Sequence, residues 1–99
     1  MREIIQQLNQ VFENRIRLAI MSVLAVNDAM DFSSLKETLD LTDGNLASHI
    51  ATLEKNKYVT VNKKFVDKKP LTTYSATPSG RKAFTEHLDA LEQLIKKAH

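Results

Sequence analysis

After Tyr58 the spacing of apolar residues changes from that of a helix to that of a β-strand. Before that point, apolar residues recur every three or four positions, as in helices packed on a core. The segment VTVNKKFVDKKPLTTYSAT, residues 59–77, instead predicts two strands, at about 59–63 and 71–76. Thr77 and Pro78 then form an N-cap followed by a proline at the first helical position. We therefore predict a mainly α fold that contains one small antiparallel β-hairpin and ends in a helix running from Pro78 almost to His99.

Two helices separated by a tight turn are predicted directly before the hairpin. Ser33 is the expected N-cap of the first helix, which should end at Leu39. Thr42 is the expected N-cap of the second, which should run to about Asn56. Two such helices in succession form a helix-turn-helix, and the hairpin follows it at once.

The length of 99 residues suits one compact domain. Within the single domain 1–99 we predict an N-terminal helix over residues 1–13, the helix-turn-helix and hairpin over 14–76, and a C-terminal helix over 77–99. Asn14 is the expected N-cap of the helix that precedes the helix-turn-helix. That helix should end near residue 27, and residues 29–32 are a candidate short strand.

The helix predicted over residues 42–56 has two unlike faces. At about 100° per residue, Leu46, Ile50 and Leu53 fall together and form the predicted buried face. Short side chains allow a helix to approach base edges in the DNA major groove, which is about 12 Å wide. Taken alone, small polar residues on a helix are more often simply solvated. The opposite face and its flank carry Gly44, Asn45, Ser48, His49, Thr52 and Lys55.

Positive charge is concentrated in and before the hairpin. The whole chain has a formal net charge of only +2. Residues 54–69, however, contain six lysines against Glu54 and Asp67. A local basic patch suits a polyanion better than total charge does, although a lysine-rich loop alone is more often solvated. The immediate succession of helix-turn-helix, short polar face and basic hairpin is what indicates DNA binding.

Several functional classes find no support in the sequence. There is no cysteine, and no Ser-His-Asp arrangement, glycine-rich phosphate loop or paired carboxylate motif is evident. The three histidines, His49, His87 and His99, are too scattered for a metal motif. We therefore predict neither enzymatic activity nor a metal or cofactor. No apolar run approaches the roughly 18 residues of a membrane span, and the N-terminus lacks a signal-peptide pattern, so a cytoplasmic protein is expected.

The stretches LTDGNLASHIATLE, KNKYV and TPSGR resemble the winged helix-turn-helix domain of small MarR-like and ArsR-like transcriptional regulators. The resemblance extends from about Asn14 to the C-terminus. It implies that residues 42–56 form the recognition helix, that the hairpin over 59–76 is the wing, and that terminal helices form a homodimer. Many relatives carry an arginine where Ser48 stands, and the cysteine-rich motif of metal-sensing relatives is missing.

These observations lead to a prediction of function. We expect a sequence-specific regulator of transcription that binds double-stranded DNA; the alternative is a winged-helix module that binds proteins. The sequence leaves open whether an effector acts on it. The predicted DNA contacts are Lys36, Thr42, Gly44, Asn45, Ser48, His49, Thr52, Lys55, Lys63, Lys64, Lys68 and Lys69.

A homodimer is predicted from the apolar seam of the C-terminal helix, with apolar residues of the N-terminal helix beside it. In the alternative, the N-terminal helix covers the C-terminal helix within one chain. The predicted interface residues are Ile4, Leu8, Phe84, Leu88, Leu91 and Ile95.

Overall fold

A computed structural model describes residues 1–98 of the chain. In this part of the chain, five α-helices accompany an antiparallel sheet of three strands in the order β1-β3-β2. The predicted fold class, mainly α with a small hairpin and a winged helix-turn-helix arrangement, is confirmed. The elements are α1 (Arg2–Gln7), a 3-10 turn (Gln10–Phe12), α2 (Arg15–Val26), β1 (Met30–Asp31), α3 (Phe32–Leu39), α4 (Asp43–Lys55), β2 (Val59–Val66), β3 (Lys69–Ala76) and α5 (Pro78–Lys97).

Side-chain caps fix most helix starts where the sequence places them. The predicted caps Asn14, Thr42 and Thr77 are confirmed, because each side chain accepts backbone N–H groups of its helix. The predicted cap Ser33 is wrong. Asp31 caps α3 instead: its carboxylate accepts from the Ser34 amide at 3.3 Å and from the Ser34 hydroxyl at 2.5 Å. A carboxylate that accepts two hydrogen bonds is the stronger cap, so α3 begins earlier than predicted.

The N-terminal helix is shorter than the predicted span 1–13. α1 ends at Gln7, and the Asn9 side chain then accepts from the Val11 amide at 2.9 Å to start the 3-10 turn. The bend turns Phe12 into the core, where it is 1% exposed. Its ring lies 5.3 Å from that of Tyr58 and 5.5 Å from that of Phe84. Phe12 thereby joins the N-terminal segment to the hairpin and to α5.

The hairpin is longer than predicted, because β2 and β3 continue to a turn of two residues. Pairing runs from Val59 opposite Ala76 to Val66 opposite Lys69. Asp67 and Lys68 form the turn with φ values of 52° and 66°. Two positive φ values give the twist that suits a two-residue hairpin, although no glycine is present.

The core lies between the sheet and helices α2 to α5. Its fully buried members include Ile20, Leu24, Leu35, Leu46 and Leu53. α1 packs along α5, which buries Ile4 to 7% exposure. The molecule measures 55 × 25 × 21 Å. Within residues 1–98, no helix combines the length and the apolar character needed to cross a membrane.

Candidate nucleic-acid interface

The two faces of α4 lie as the helical wheel predicts. Leu46 and Leu53 are 0% exposed and Ile50 is 2% exposed, so this face is part of the core. Asn45 and Ser48 are exposed on the opposite face. Thr52, which the wheel also places on the exposed face, is instead half-buried, and its hydroxyl donates only a long hydrogen bond, 3.4 Å, to the Ser48 carbonyl. The remaining predicted contacts on this helix are Thr42, Gly44 and Lys55, which are exposed, and His49, which is half-buried.

An ion pair joins α3 to the start of α4. Lys36 Nζ lies 2.9 Å from Asp43 Oδ1, with 43% and 74% of the two side chains exposed. A pair this exposed adds little to stability because water screens it. It does neutralise the one acidic side chain in the first turn of α4. The amide groups at this end of the helix therefore keep their attraction for an anion.

The wing lysines do not share one side of the hairpin. Successive side chains of a strand point to opposite faces, so Lys63 and Lys64 diverge. Lys63 lies on the face of Val61 and Tyr74, and together with Glu54 of α4 they line one shallow groove. Lys64 lies on the other face, Lys69 is opposite Val66 on that face, and Lys68 occupies the turn. Lys63 thus adjoins α4, whereas Lys64 and Lys69 lie on the opposite face of the wing and Lys68 lies in its turn.

The end of the wing is apolar as well as basic. Phe65 is 76% exposed and Val66 is 46% exposed, directly before the Asp67–Lys68 turn. The predicted strands, at about 59–63 and 71–76, left both residues in a loop, so this apolar end was not predicted. The alternation of the longer strand would have indicated it.

Arg17 of α2 reaches the flank of α4. Its Nη1 lies 3.2 Å from His49 Nδ1, and its Nε donates to the Val11 carbonyl at 2.7 Å. This contact joins the 3-10 turn to α4. It links residues 32 positions apart, so no local pattern in the sequence announces it.

A second polar cluster surrounds Asn9. The Asn9 amide donates to His87 Nδ1 at 2.9 Å, and its side-chain nitrogen donates to the Tyr58 hydroxyl at 2.9 Å. His87 is only 3% exposed. Burial lowers the pKa of His87 below its ordinary value of 6.5, and the negative charge of Glu13 opposes that shift. The neutral imidazole is thus the form that fits this cluster.

The predicted dimer residues divide into two groups. Ile4 and Phe84, each 7% exposed, are covered within one chain, because α1 packs on α5 and α5 packs on the core. Leu8 and Leu91 are half-buried. Leu88 and Ile95, by contrast, are 43% and 62% exposed. An open apolar groove between α2 and α5 adjoins Leu88, lined also by Leu18, Ala19, Val26 and Phe84.

Comparison with known proteins identifies the same architecture. A family model described as winged helix DNA-binding domain matches residues 16–95. An uncharacterized protein of Methanocaldococcus jannaschii is 33% identical over 87 residues, which are 88% of this chain and 95% of that protein.

Solved structures agree with the family match. A transcriptional regulator homologue from Pyrococcus horikoshii OT3 superposes with a TM-score of 0.87 and 34% identity, over 98% of this chain and 94% of that one. The YusO protein of Bacillus subtilis has the same fold at 15% identity, with a TM-score of 0.75 over 98% of this chain and 71% of its own.

Proposed function

Because this chain belongs to the family of winged helix DNA-binding domains, we propose that it is a sequence-specific regulator of transcription. It binds double-stranded DNA in the cytoplasm as a homodimer. The family is one of DNA-binding domains and not of enzymes. The observation that carries the proposal is the face of α4: Asn45 and Ser48 are exposed, and directly behind them the helix is anchored by leucines that are 0% exposed.

Helix α4 enters the major groove in this proposal. Gly44 has open space around it, and Ser48 is short, so bases can approach the helix closely. Asn45 is placed to pair with adenine through both its amide oxygen and its amide nitrogen. The hydroxyls of Ser48 and Thr52 can each donate to or accept from a base edge. The exposed Lys55 at the end of the helix suits a phosphate.

Lysines on both faces of the wing contact the phosphate backbone. Lys64, Lys68 and Lys69 are exposed, as is Lys63 on the opposite face. A hairpin that carries positive charge on both faces fits between two phosphate strands. Its contribution is affinity for any sequence, because phosphates are the same throughout DNA. Lys36 takes a smaller part, since it already pairs with Asp43.

The homodimer forms through the exposed apolar face of α5. Leu88 and Ile95 are seven residues apart and share one side of the helix. A two-fold pair places two α4 helices on one face of DNA, at half-sites about 34 Å apart. The expected operator is therefore a pseudo-palindrome.

A protein-binding module is the second candidate function. The observation that favours it is the exposed apolar wing end, with Phe65 at 76% and Val66 at 46%. Such residues are more common in protein interfaces than on free surfaces. That function does not require the four lysines around them.

Binding to duplex DNA over a range of salt concentrations separates the two functions. Each phosphate contact that is lost should reduce the slope of log K against log salt by about 0.9. Lys64→Ala with Lys68→Ala should therefore flatten the plot and weaken binding to all sequences alike.

The matched control is Lys96→Ala with Lys97→Ala, which removes the same charge at the far end of α5. It should leave the slope unchanged. An unchanged slope in the wing variant would remove the wing from the interface, and a wild-type protein that binds no duplex would favour the protein-binding module.

A further inference from the structure

The contact between Arg17 and His49 fixes which imidazole nitrogen carries the proton. Arginine has five N–H donors and no acceptor. At 3.2 Å from Arg17 Nη1, His49 Nδ1 must therefore be the acceptor of the hydrogen bond. In a neutral imidazole, the hydrogen then resides on Nε2.

Arg17 is itself held by residues outside α4. Its Nε donates to the Val11 carbonyl at 2.7 Å. Val11 belongs to the 3-10 turn, which Asn9 caps and which the buried ring of Phe12 anchors in the core. The guanidinium thus has a defined position from which to direct the His49 ring.

His49 is half-buried, and its Nε2 atom is not fully enclosed by the protein. Within residues 1–98 it has no hydrogen-bond partner, and no buried side-chain nitrogen or oxygen in that part of the chain lacks one. His49 stands four residues after Asn45 and three before Thr52. Residues at these spacings are neighbours on a helix surface, so the His49 side chain adjoins the polar face of α4.

We propose that His49 contacts DNA through Nε2–H as a hydrogen-bond donor only, with Arg17 as the positioning residue that sets its tautomer. The proposal rests on the DNA-binding function proposed above. The partner atom is an acceptor: a phosphate oxygen or the N7 or O6 of a purine. A site that presents only a donor discriminates against the amino groups of adenine and cytosine, because two donors cannot pair.

Two amide substitutions test the two ring nitrogens separately. The side-chain nitrogen of glutamine occupies about the position of Nε2, so His49→Gln keeps a donor toward DNA and loses the acceptor for Arg17. The side-chain oxygen of asparagine occupies about the position of Nδ1, so His49→Asn keeps the acceptor and loses the donor. The probe is a duplex selected from a random pool by the wild-type protein.

The expected order of affinity is clear. His49→Gln should remain within about threefold of wild type, and His49→Asn should lose about tenfold or more. Any other order of affinity overturns the donor assignment. If His49→Asn binds the duplex tightly and His49→Gln binds it weakly, His49 acts only by holding Arg17. Thermal melts of both variants confirm that they are folded.

The tautomer is measurable without DNA. Long-range proton–nitrogen spectra of the free protein should show the hydrogen of His49 on Nε2, and a hydrogen on Nδ1 overturns the proposal. This measurement stays informative if the wild type binds no duplex, which is the outcome that would refute the proposed function instead.

A double-mutant cycle tests the role of Arg17. Arg17→Ala should weaken DNA binding in the wild-type background and have little further effect in His49→Ala. Additive losses would show that Arg17 contacts DNA by itself and would overturn its positioning role.

Replacing single phosphates by methylphosphonates, purines by 7-deazapurines, which lack N7, or guanine by 2-aminopurine, which lacks O6, then identifies the acceptor. Replacement of the accepting atom should lower the affinity of the wild type for the duplex and leave the affinity of His49→Asn unchanged. If no replacement has this effect, the donor contact does not exist.

Discussion

Replacing Gly80 by alanine should destabilise the protein, although alanine is the better helix former. Gly80 is a buried residue in the first turn of α5 and lies against the backbone of Tyr58. A Cβ atom there would be 2.2 Å from the Tyr58 carbonyl oxygen and 2.9 Å from both the carbonyl carbon and Cα of Tyr58. Real Cβ atoms essentially never approach closer than 3.0 Å. Because the obstacle is backbone, no side-chain rotation relieves it.

The backbone of Tyr58 is held on both sides. Its carbonyl accepts from the Thr77 amide at 3.0 Å, and its amide donates to the Leu53 carbonyl at 3.0 Å. A shift large enough to admit the methyl group therefore strains the entry to β2 and lengthens the bond to Thr77. Overpacking together with that weakened bond costs roughly 3–4 kcal/mol. The gain in helix propensity returns about 1 kcal/mol, so the net loss is about 2–3 kcal/mol.

Gly44→Ala is the matched control. Apart from its chain neighbours and the backbone of its own helix, nothing lies within 4 Å of a Cβ built at Gly44, which is in the first turn of α4. Alanine there should be neutral or stabilise by up to about 1 kcal/mol. Thermal and urea unfolding should be compared at one protein concentration, because a dimer's melting temperature depends on concentration.

The expected melting temperature of Gly80→Ala is about 10–20 °C below that of wild type. A Gly80→Ala variant as stable as wild type, or as stable as Gly44→Ala, would refute the argument from close packing.

Three further predictions concern other elements. The pKa of His87 is lowered in the folded protein, so the unfolded chain binds a proton there first as the pH falls. The free energy of unfolding should therefore decrease as pH drops from about 6.5 toward the lower folded pKa. His87→Asn should remove this decrease while keeping an acceptor for the Asn9 amide. If His87→Asn loses as much stability at acid pH as the wild type does, His87 is excluded as the source of that loss. Asn45→Ala should change sequence preference by about 1–3 kcal/mol, whereas equal losses on all duplexes would contradict a base contact. Thr77→Ala should cost about 1–2 kcal/mol in chemical unfolding by removing the cap of α5, and Ser79→Ala should not.

Local signals in the sequence were sufficient for the order of elements. The change in spacing after Tyr58 located the hairpin, and Thr77 before Pro78 located the start of α5. Where two residues compete for one role, the local signal failed. Asp31 and Ser33 both suit an N-cap, and it is the Asp31 carboxylate that accepts from both the amide and the hydroxyl of Ser34. The hairpin turn was missed because it uses positive φ values without glycine.

The exposed face of α4 was predictable because helix geometry alone determines it. The positions of the wing lysines were not predictable, because they depend on where β2 ends. Since β2 extends to Val66, Lys63 and Lys64 point to opposite faces of the hairpin. The contacts of Arg17 with His49 and of Asn9 with His87 join residues 32 and 78 positions apart. The spacing of residues within one segment cannot predict these contacts, because they form only when distant segments pack together.

The predicted interface residues of α5 are not equally suited to testing the dimer. Leu91 is half-buried and lines a small groove with Leu8 and His87. A charge at Leu91 would therefore disturb the packing of α1 on α5 as well as any interface.

Leu88→Glu with Ile95→Glu is the cleaner variant, because these side chains are 43% and 62% exposed. Sedimentation equilibrium at micromolar concentration should give the wild type about twice the chain mass of 11.2 kDa and the variant the mass of one chain. Ser79→Glu with Gln93→Glu, at other exposed positions of α5, should remain dimeric. The monomer should keep its fold yet bind the operator weakly, because a single α4 contacts one half-site while the pair contacts two. A wild-type protein that stays monomeric on DNA at one chain per site would refute the dimer. If the Leu88 and Ile95 variant unfolds instead, this face of α5 belongs to the core of one chain.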